Sequence, residues 1–277
     1  MKKVALIITF FLLLSPSPVL SVGKDFAVPC KVRIDQGEQV ISRWKDCLYT
    51  FRVEVISDDA GRKPHHFRDG KPFIYARPGE RYRVRIHNPL PVRVAANLTI
   101  DGLNSITGSP CKPANGRKWI IEPHSYVDIK GWQVSYREAR RFYFTSKAES
   151  YARWRSNKWG KDLTVNCGVI GVAYFWSRQE LENYQNRYTT IYPESEYAEK
   201  SKRIRPPAPD QPQAGTGMGE QESHPVQEIH FDYDSGMYRI DQAVMIYYDF
   251  PKKYTYDGPM PFEQPEPGDF APEQPYR

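Results

Sequence analysis

Strict alternation between residues 81 and 101 constrains this chain more than any other feature. Tyr82, Val84 and Ile86 alternate with Arg81, Arg83, Arg85 and His87. A period of two over that length is the signature of a half-buried β-strand. Val92, Val94, Ala96, Leu98 and Ile100 repeat the pattern over 92–101. Asn88-Pro89-Leu90-Pro91 joins the two runs, and its prolines fix φ and remove ladder donors. The two runs are expected to lie side by side as antiparallel strands sharing one apolar face.

Further strands are expected at Tyr49–Ile56, Arg140–Thr145 and Gly168–Phe175, the last a nearly continuous apolar run suited to a central position. Lys118–Glu122 and Ser125–Lys130 read as a hairpin about Glu122-Pro123-His124. Helical texture is confined to 148–159 and 178–188. Short strands at regular spacing with turn signals between them predict an all-β chain. The expected architecture is an antiparallel β-sandwich, immunoglobulin-like or related. Aromatic residues at 14%, with 19 tyrosines, suit strands better than long helices.

Two late runs, Val226–Tyr233 and Ala243–Phe250, flank Asp234-Ser235-Gly236 and read as a hairpin that completes the sheet. The chain thus divides into a leader (1–21), a disulfide-closed segment (22–47), a main sandwich (48–188), a Pro/Gly-rich linker or long loop (189–224), a hairpin (225–250) and an acidic, proline-rich tail expected to be disordered (251–277).

The leader reading rests on Met1-Lys2-Lys3, the apolar run VALIITFFLLL, Pro16 and Pro18, and the small residues before position 22. The run is short for a comfortable membrane span, although an uncleaved anchor is the alternative. The membrane enters only through this segment, and the chain is expected to be exported to the periplasm or beyond. Export favours pairing of Cys30, Cys47, Cys111 and Cys167. Three connectivities exist. Cys30–Cys47 with Cys111–Cys167 is favoured because the first two flank one short segment. No CxxC or HxxxH spacing points to zinc, so no metal or cofactor is expected.

Four stretches, NPLPVRVAANLTIDGLNSI, KWIIEPHSYVDIKGW, ARRFYFT with Ser150-Tyr151-Ala152, and GVIGVAYF, occur together with AGTGMGE and a strand ending IYYDF. As a set they resemble a family of secreted bacterial proteins to which no activity is attached. The resemblance spans most of 79–250 and implies an all-β, sandwich-like fold with the late strands in the same unit. It implies no catalytic residue.

Charge is unevenly spread. Residues 22–205 carry 33 Lys/Arg against 20 Asp/Glu, whereas 206–277 carry 4 against 13. A basic body with an acidic tail points to an anionic partner, or to a tail that covers the body's own basic face. Arg81, Arg83 and Arg85 lie about 7 Å apart on one strand face at ~3.3 Å per residue. Arg93 is expected on the same surface. Guanidinium groups bind phosphate and carboxylate in bidentate fashion, so this ladder is one candidate contact. The other reading is a solvated face whose charges pair with neighbouring acids. Arg153 and Arg155, with Trp154 and Trp159, form a second basic and aromatic segment. Asp101-Gly102-Leu103-Asn104 reads as a strand-end turn.

No GxSxG, HExxH or phosphate-binding glycine loop is present, and no enzyme is expected. The leading expectation is a binding or structural module of the bacterial envelope that contacts an anionic polymer or an acidic protein surface. Export makes nucleic acid an unexpected target. A second expectation is an assembly protein whose acidic tail docks on the basic face. The third is a hydrolase that gathers Asp101, His124 and another carboxylate.

Overall fold

A computed structural model describes residues 51–68, 71–189, 212–233, 243–251 and 271, together with the backbone of strand segments at 4–8, 31–34, 40–42 and 48–50. Among the described residues strands dominate, with two α-helices, and two largely antiparallel sheets form a sandwich-like fold that does not close into a barrel. The first sheet runs from edge to edge through β18 (Val226–His230), β1 (Val4–Ile8), β12 (Trp119–Ile121), β10 (Val94–Ile100), β16 (Val169–Phe175), β19 (Ala243–Asp249), β8 (Lys71–Tyr75) and β7 (His66–Arg68). The two-residue β11 (Leu103–Asn104) folds back on β10.

The second sheet is built around β9 (Arg81–His87). β5 (Val53–Ser57) and β6 (Gly61–Arg62) extend it on one side. β13 (Tyr126–Ile129), β14 (Gly131–Gln133), β15 (Glu138–Ser146) and β17 (Ala214–Ser223) extend it on the other. A small third sheet joins β3 (Val40–Ser42), β2 (Lys31–Ile34) and β4 (Leu48–Phe51). Two helices, α1 (Tyr151–Trp159) and α2 (Arg178–Thr189), fall where the sequence predicts helical texture. Ser150 caps α1, its Oγ accepting from Arg153 N at 3.1 Å.

The alternation in 81–87 holds. Tyr82, Val84 and Ile86 are fully buried and meet Ala96, Leu98, Ile100, Val172 and Ile246 of the opposite sheet in one core. β16 is central, flanked by β10 and β19. The expected pairing of the 81–87 and 92–101 runs does not form. β5 occupies one edge of β9 and β13 with β15 the other, while β10 belongs to the other sheet.

Asn88-Pro89-Leu90-Pro91 is therefore an arch that carries the chain from sheet to sheet. Its prolines deny the donors that a hairpin ladder needs. Leu90 is instead fully buried between the layers. Asn88 closes the arch: its Nδ2 donates to the Val92 and Glu122 carbonyls at 2.9 Å each, and its Oδ1 accepts from Leu90 N. Glu122-Pro123-His124 is a second arch for the same reason, since β12 pairs with β10 and β13 with β9.

Both late strands complete the first sheet, but from opposite directions. β19 pairs with β16 and β8, and β18 pairs with β1, so they do not form a hairpin with each other. The glycine-rich stretch read as linker contains β17, paired along its length with β15. Its glycines permit close approach: a Cβ on Gly217 would sit 2.2 Å from the Tyr143 ring. Within the tail, Ala271 is buried and its N–H donates to the Ile106 and Gln133 carbonyls. Residues 4–8 of the expected leader form β1. Among the described residues no helix is long and apolar enough to cross a membrane.

Candidate functional site

The arginine ladder lies on the outer face of the second sheet, as the alternation requires. Arg81, Arg83 and Arg85 each have an acidic partner from another strand or loop of the same sheet. Arg85 forms a two-pronged bond with Asp128, Nε to Oδ1 and Nη2 to Oδ2 at 2.7 Å each, and lies over the Tyr126 ring at 4.1 Å. Arg83 reaches Asp58 at 3.4 Å and Asp128 at 3.3 Å. Arg81 pairs with Glu220 of β17. Arg141 of β15 joins the same face, bonding Glu222 at 2.8 Å and also Asp58, while Lys130 pairs with Glu222.

The register explains this neutralisation. Arg85 stands directly between Glu54 of β5 and Asp128 of β13. Cross-strand pairs of opposite charge stabilise adjacent strands. Glu54 accepts from Arg62 and from His87 Nε2, each at 2.9 Å. Burial would raise its carboxyl, but the His87 and Arg62 bonds outweigh it and hold the group at about 2. Burial likewise opposes ionisation of Glu220 and Glu222, and their bonds to Arg81, Lys130 and Arg141 keep both below the usual carboxylate range. These acids were legible only as alternating residues in VEV, VDI and GEQE. Their distance in sequence from 81–87, up to 139 residues, concealed the pairing.

The other candidates scatter. Arg93 precedes β10, off the ladder, and pairs with Glu122 at 3.0 Å on the molecular rim. The difference follows from the arch, which places 92–100 in the other sheet. Arg153 is half-buried on α1. Arg155 is fully buried, donating from Nε to the Gly108 carbonyl at 3.0 Å, so it belongs to the interior rather than to a contact surface. Trp154 is also buried, stacked on Tyr151. Trp159 is partly exposed, with the Arg155 guanidinium 4.4 Å from its ring centre.

The expected Cys111–Cys167 bridge is absent, and both residues are free thiols. Each has its own setting: Cys111 Sγ lies 3.8 Å from Asn97 Nδ2, and Cys167 Sγ lies 3.7 Å from Ser150 Oγ. Burial pushes both thiols up, which disfavours the thiolate. Cys30 and Cys47 lie outside the described residues.

Two buried polar groups, Asp101 and His224, are strongly shifted by burial. Asp101 opens a tight turn with φ of 53°, followed by Gly102 at 80°, the two-residue form that joins β10 to β11. Its carboxylate crosses the sandwich, accepting from Tyr248 Oη at 2.6 Å, Thr216 N at 2.7 Å and Gly168 N at 2.9 Å. Thr216 Oγ1 continues the chain to Tyr82 and Tyr248, at 2.7 Å each. Burial raises the Asp101 carboxyl to about 7 against the opposing pull of these bonds. His224 is buried beside Trp119, with Nδ1 2.7 Å from Gln133 Oε1, and burial lowers it to about 4.

Asp101 and His124 are not brought together. Asp101 follows the C-terminal end of β10, whereas His124 is exposed at the arch near its start, ~20 Å away along a strand of that length. Among the described residues no group of three His, Cys, Asp or Glu side chains could hold a metal ion. No family model, curated protein or solved structure matches the chain.

Proposed function

We propose that this chain is a non-enzymatic assembly module of the exported bacterial envelope, joined to its surroundings through protein contacts. Export is inferred from the leader-like N-terminus. The observation that carries the assembly reading is the internal pairing of the arginine face. Arg81, Arg83, Arg85 and Arg141 meet Glu220, Asp58, Asp128 and Glu222. A polyanion would have to displace these acids, so the positive charge of the body offers it little new attraction. Of the tail, Ala271 reaches the same unit, its N–H donating to the Ile106 and Gln133 carbonyls.

The test is light scattering of the exported protein, isolated under native conditions, through a salt series. A complex heavier than the monomer that survives added salt is expected. A monomer at every salt concentration, together with polymer binding that weakens steeply with salt, would overturn the reading. Binding of an anionic polymer is the second reading, favoured by the half-exposed side chains of Arg81 and Arg93. It requires that rim pairs exchange readily with a ligand.

A further inference from the structure

The far end of the first sheet is completed by a segment that export would remove. β1 lies between β12, to which it runs parallel, and β18, to which it runs antiparallel. Leu6 stands opposite Trp119 and Ile7 opposite Ile120, while all five residues, Val4 to Ile8, are in register with His230 to Val226. Removal of residues 1–21 would leave the facing edges of β12 and β18 without their common neighbour. Each would expose backbone donors and acceptors that suit an added strand.

The slot has a definite chemistry. Trp119 and Ile121 belong to the main core, whereas Ile120 belongs to a second apolar cluster with Ala95, Phe175, Phe231 and Tyr233 on the other face of the sheet. β18 likewise contributes Val226 to the main core and Ile229 to the second cluster. A strand between β12 and β18 thus borders apolar residues on both faces, with Glu228 and His230 opposite its first half. Such a position calls for a continuous apolar run rather than an alternating one. VALII meets that demand, in contrast to RYRVRIH of β9.

We infer that the slot between β12 and β18 is a strand-acceptor site for a partner protein, taking an extended run of five apolar residues parallel to β12. The inference rests on the assembly reading and names the contact it uses. A second copy cannot supply β1, because processing removes the same residues from every copy. The chain's own new N-terminus, VGKDFAV, places Lys24 and Asp25 inside the run and so fits poorly. A segment of another polypeptide remains.

The experiment uses the protein as cells export it, with its N-terminus read by intact mass. The probe is a labelled peptide of residues 2–10, KKVALIITF, and the control is the same peptide with Leu6→Asp and Ile8→Asp. The expected result is a processed chain that binds the probe saturably, with the control at least tenfold weaker. Amide exchange at 226–230 should slow at least tenfold on binding. Three results would overturn the inference. They are an exported chain that retains residues 4–8, a processed chain whose 226–230 amides do not respond to saturating probe, and amides already protected by the chain's own N-terminus. Light scattering on the same samples separates the two ideas: a stable heavy complex without any probe response sinks the inference and leaves the assembly reading intact.

Discussion

The outer face of the second sheet and the β12–β18 end of the first sheet differ in what completes them. The arginine face is rich in charge yet self-sufficient, since its acids come from β5, the loop after it, β13 and β17 of the same chain. The β12–β18 end sets apolar clusters beside an Arg117–Glu228 pair and is closed by a segment near the N-terminus. Charge density alone therefore does not mark a contact surface in this molecule. An ion pair already formed has little left to offer a ligand, whereas the β12 and β18 edges, if β1 were removed, would have free backbone donors and acceptors to offer.

The sharpest way to break this contrast is to damage each region and compare the losses. Trp119→Ala removes a fully buried indole from the floor of the slot, together with its bond to Ser105 Oγ. It should cost ~3–5 kcal/mol in urea unfolding. A loss near that of a surface substitution would mean that the β12 end is not packed as described.

The two buried titrating groups sharpen the comparison through pH. Asp101 is raised in the folded state, so its contribution is full below the unfolded carboxyl value and is lost as pH rises towards about 7. His224, beside β18, is lowered, so its contribution is present above the unfolded imidazole value and is lost as pH falls towards about 4. The two slopes oppose each other between pH 4 and 6.5, each bounded by ~1.4 kcal/mol per pH unit. Asp101→Asn should therefore leave stability rising with pH in that window, and His224→Gln should leave it falling. Parallel pH profiles for the two variants would contradict the assignment.

Smaller effects are expected on the charged face. Asp128→Ala strands Arg85 and half of the Arg83 pairing, at a cost of ~1 kcal/mol given partial solvent exposure. Arg93→Ala should lie within ~0.5 kcal/mol of the parent, because both partners of the Arg93–Glu122 pair are half-exposed. A loss from Arg93→Ala as large as that from Trp119→Ala would reverse the ranking of the two regions.

How much of this was legible follows from what local sequence can encode. The alternation in 81–87 specified a strand and its buried face, and the apolar run at 169–175 specified a central one, because both properties are carried by the residues themselves. Pairing was not legible. Asn88-Pro89-Leu90-Pro91 looks the same whether the chain turns back within a sheet or crosses to the next, and Asn88's bond to Glu122 joins positions 34 apart. The glycines of β17 signal either freedom or close approach, and only Tyr143 and its neighbours decide between them. Arg81, Arg83 and Arg85 were correctly placed on one face and Arg93 was not, while the neutralisation of the face depended on acids brought in by β5, the loop after it, β13 and β17. Even cysteine parity misled at Cys111 and Cys167, since an even count says nothing about whether two thiols meet.

The central claim is that the basic face is closed to outside partners. Co-sedimentation of the exported protein with isolated envelope polymer across a salt series tests it most directly. The account predicts no salt-sensitive binding, and the same result after Arg81→Ala and Arg83→Ala. Binding that falls steeply with salt and disappears in those two variants would contradict it.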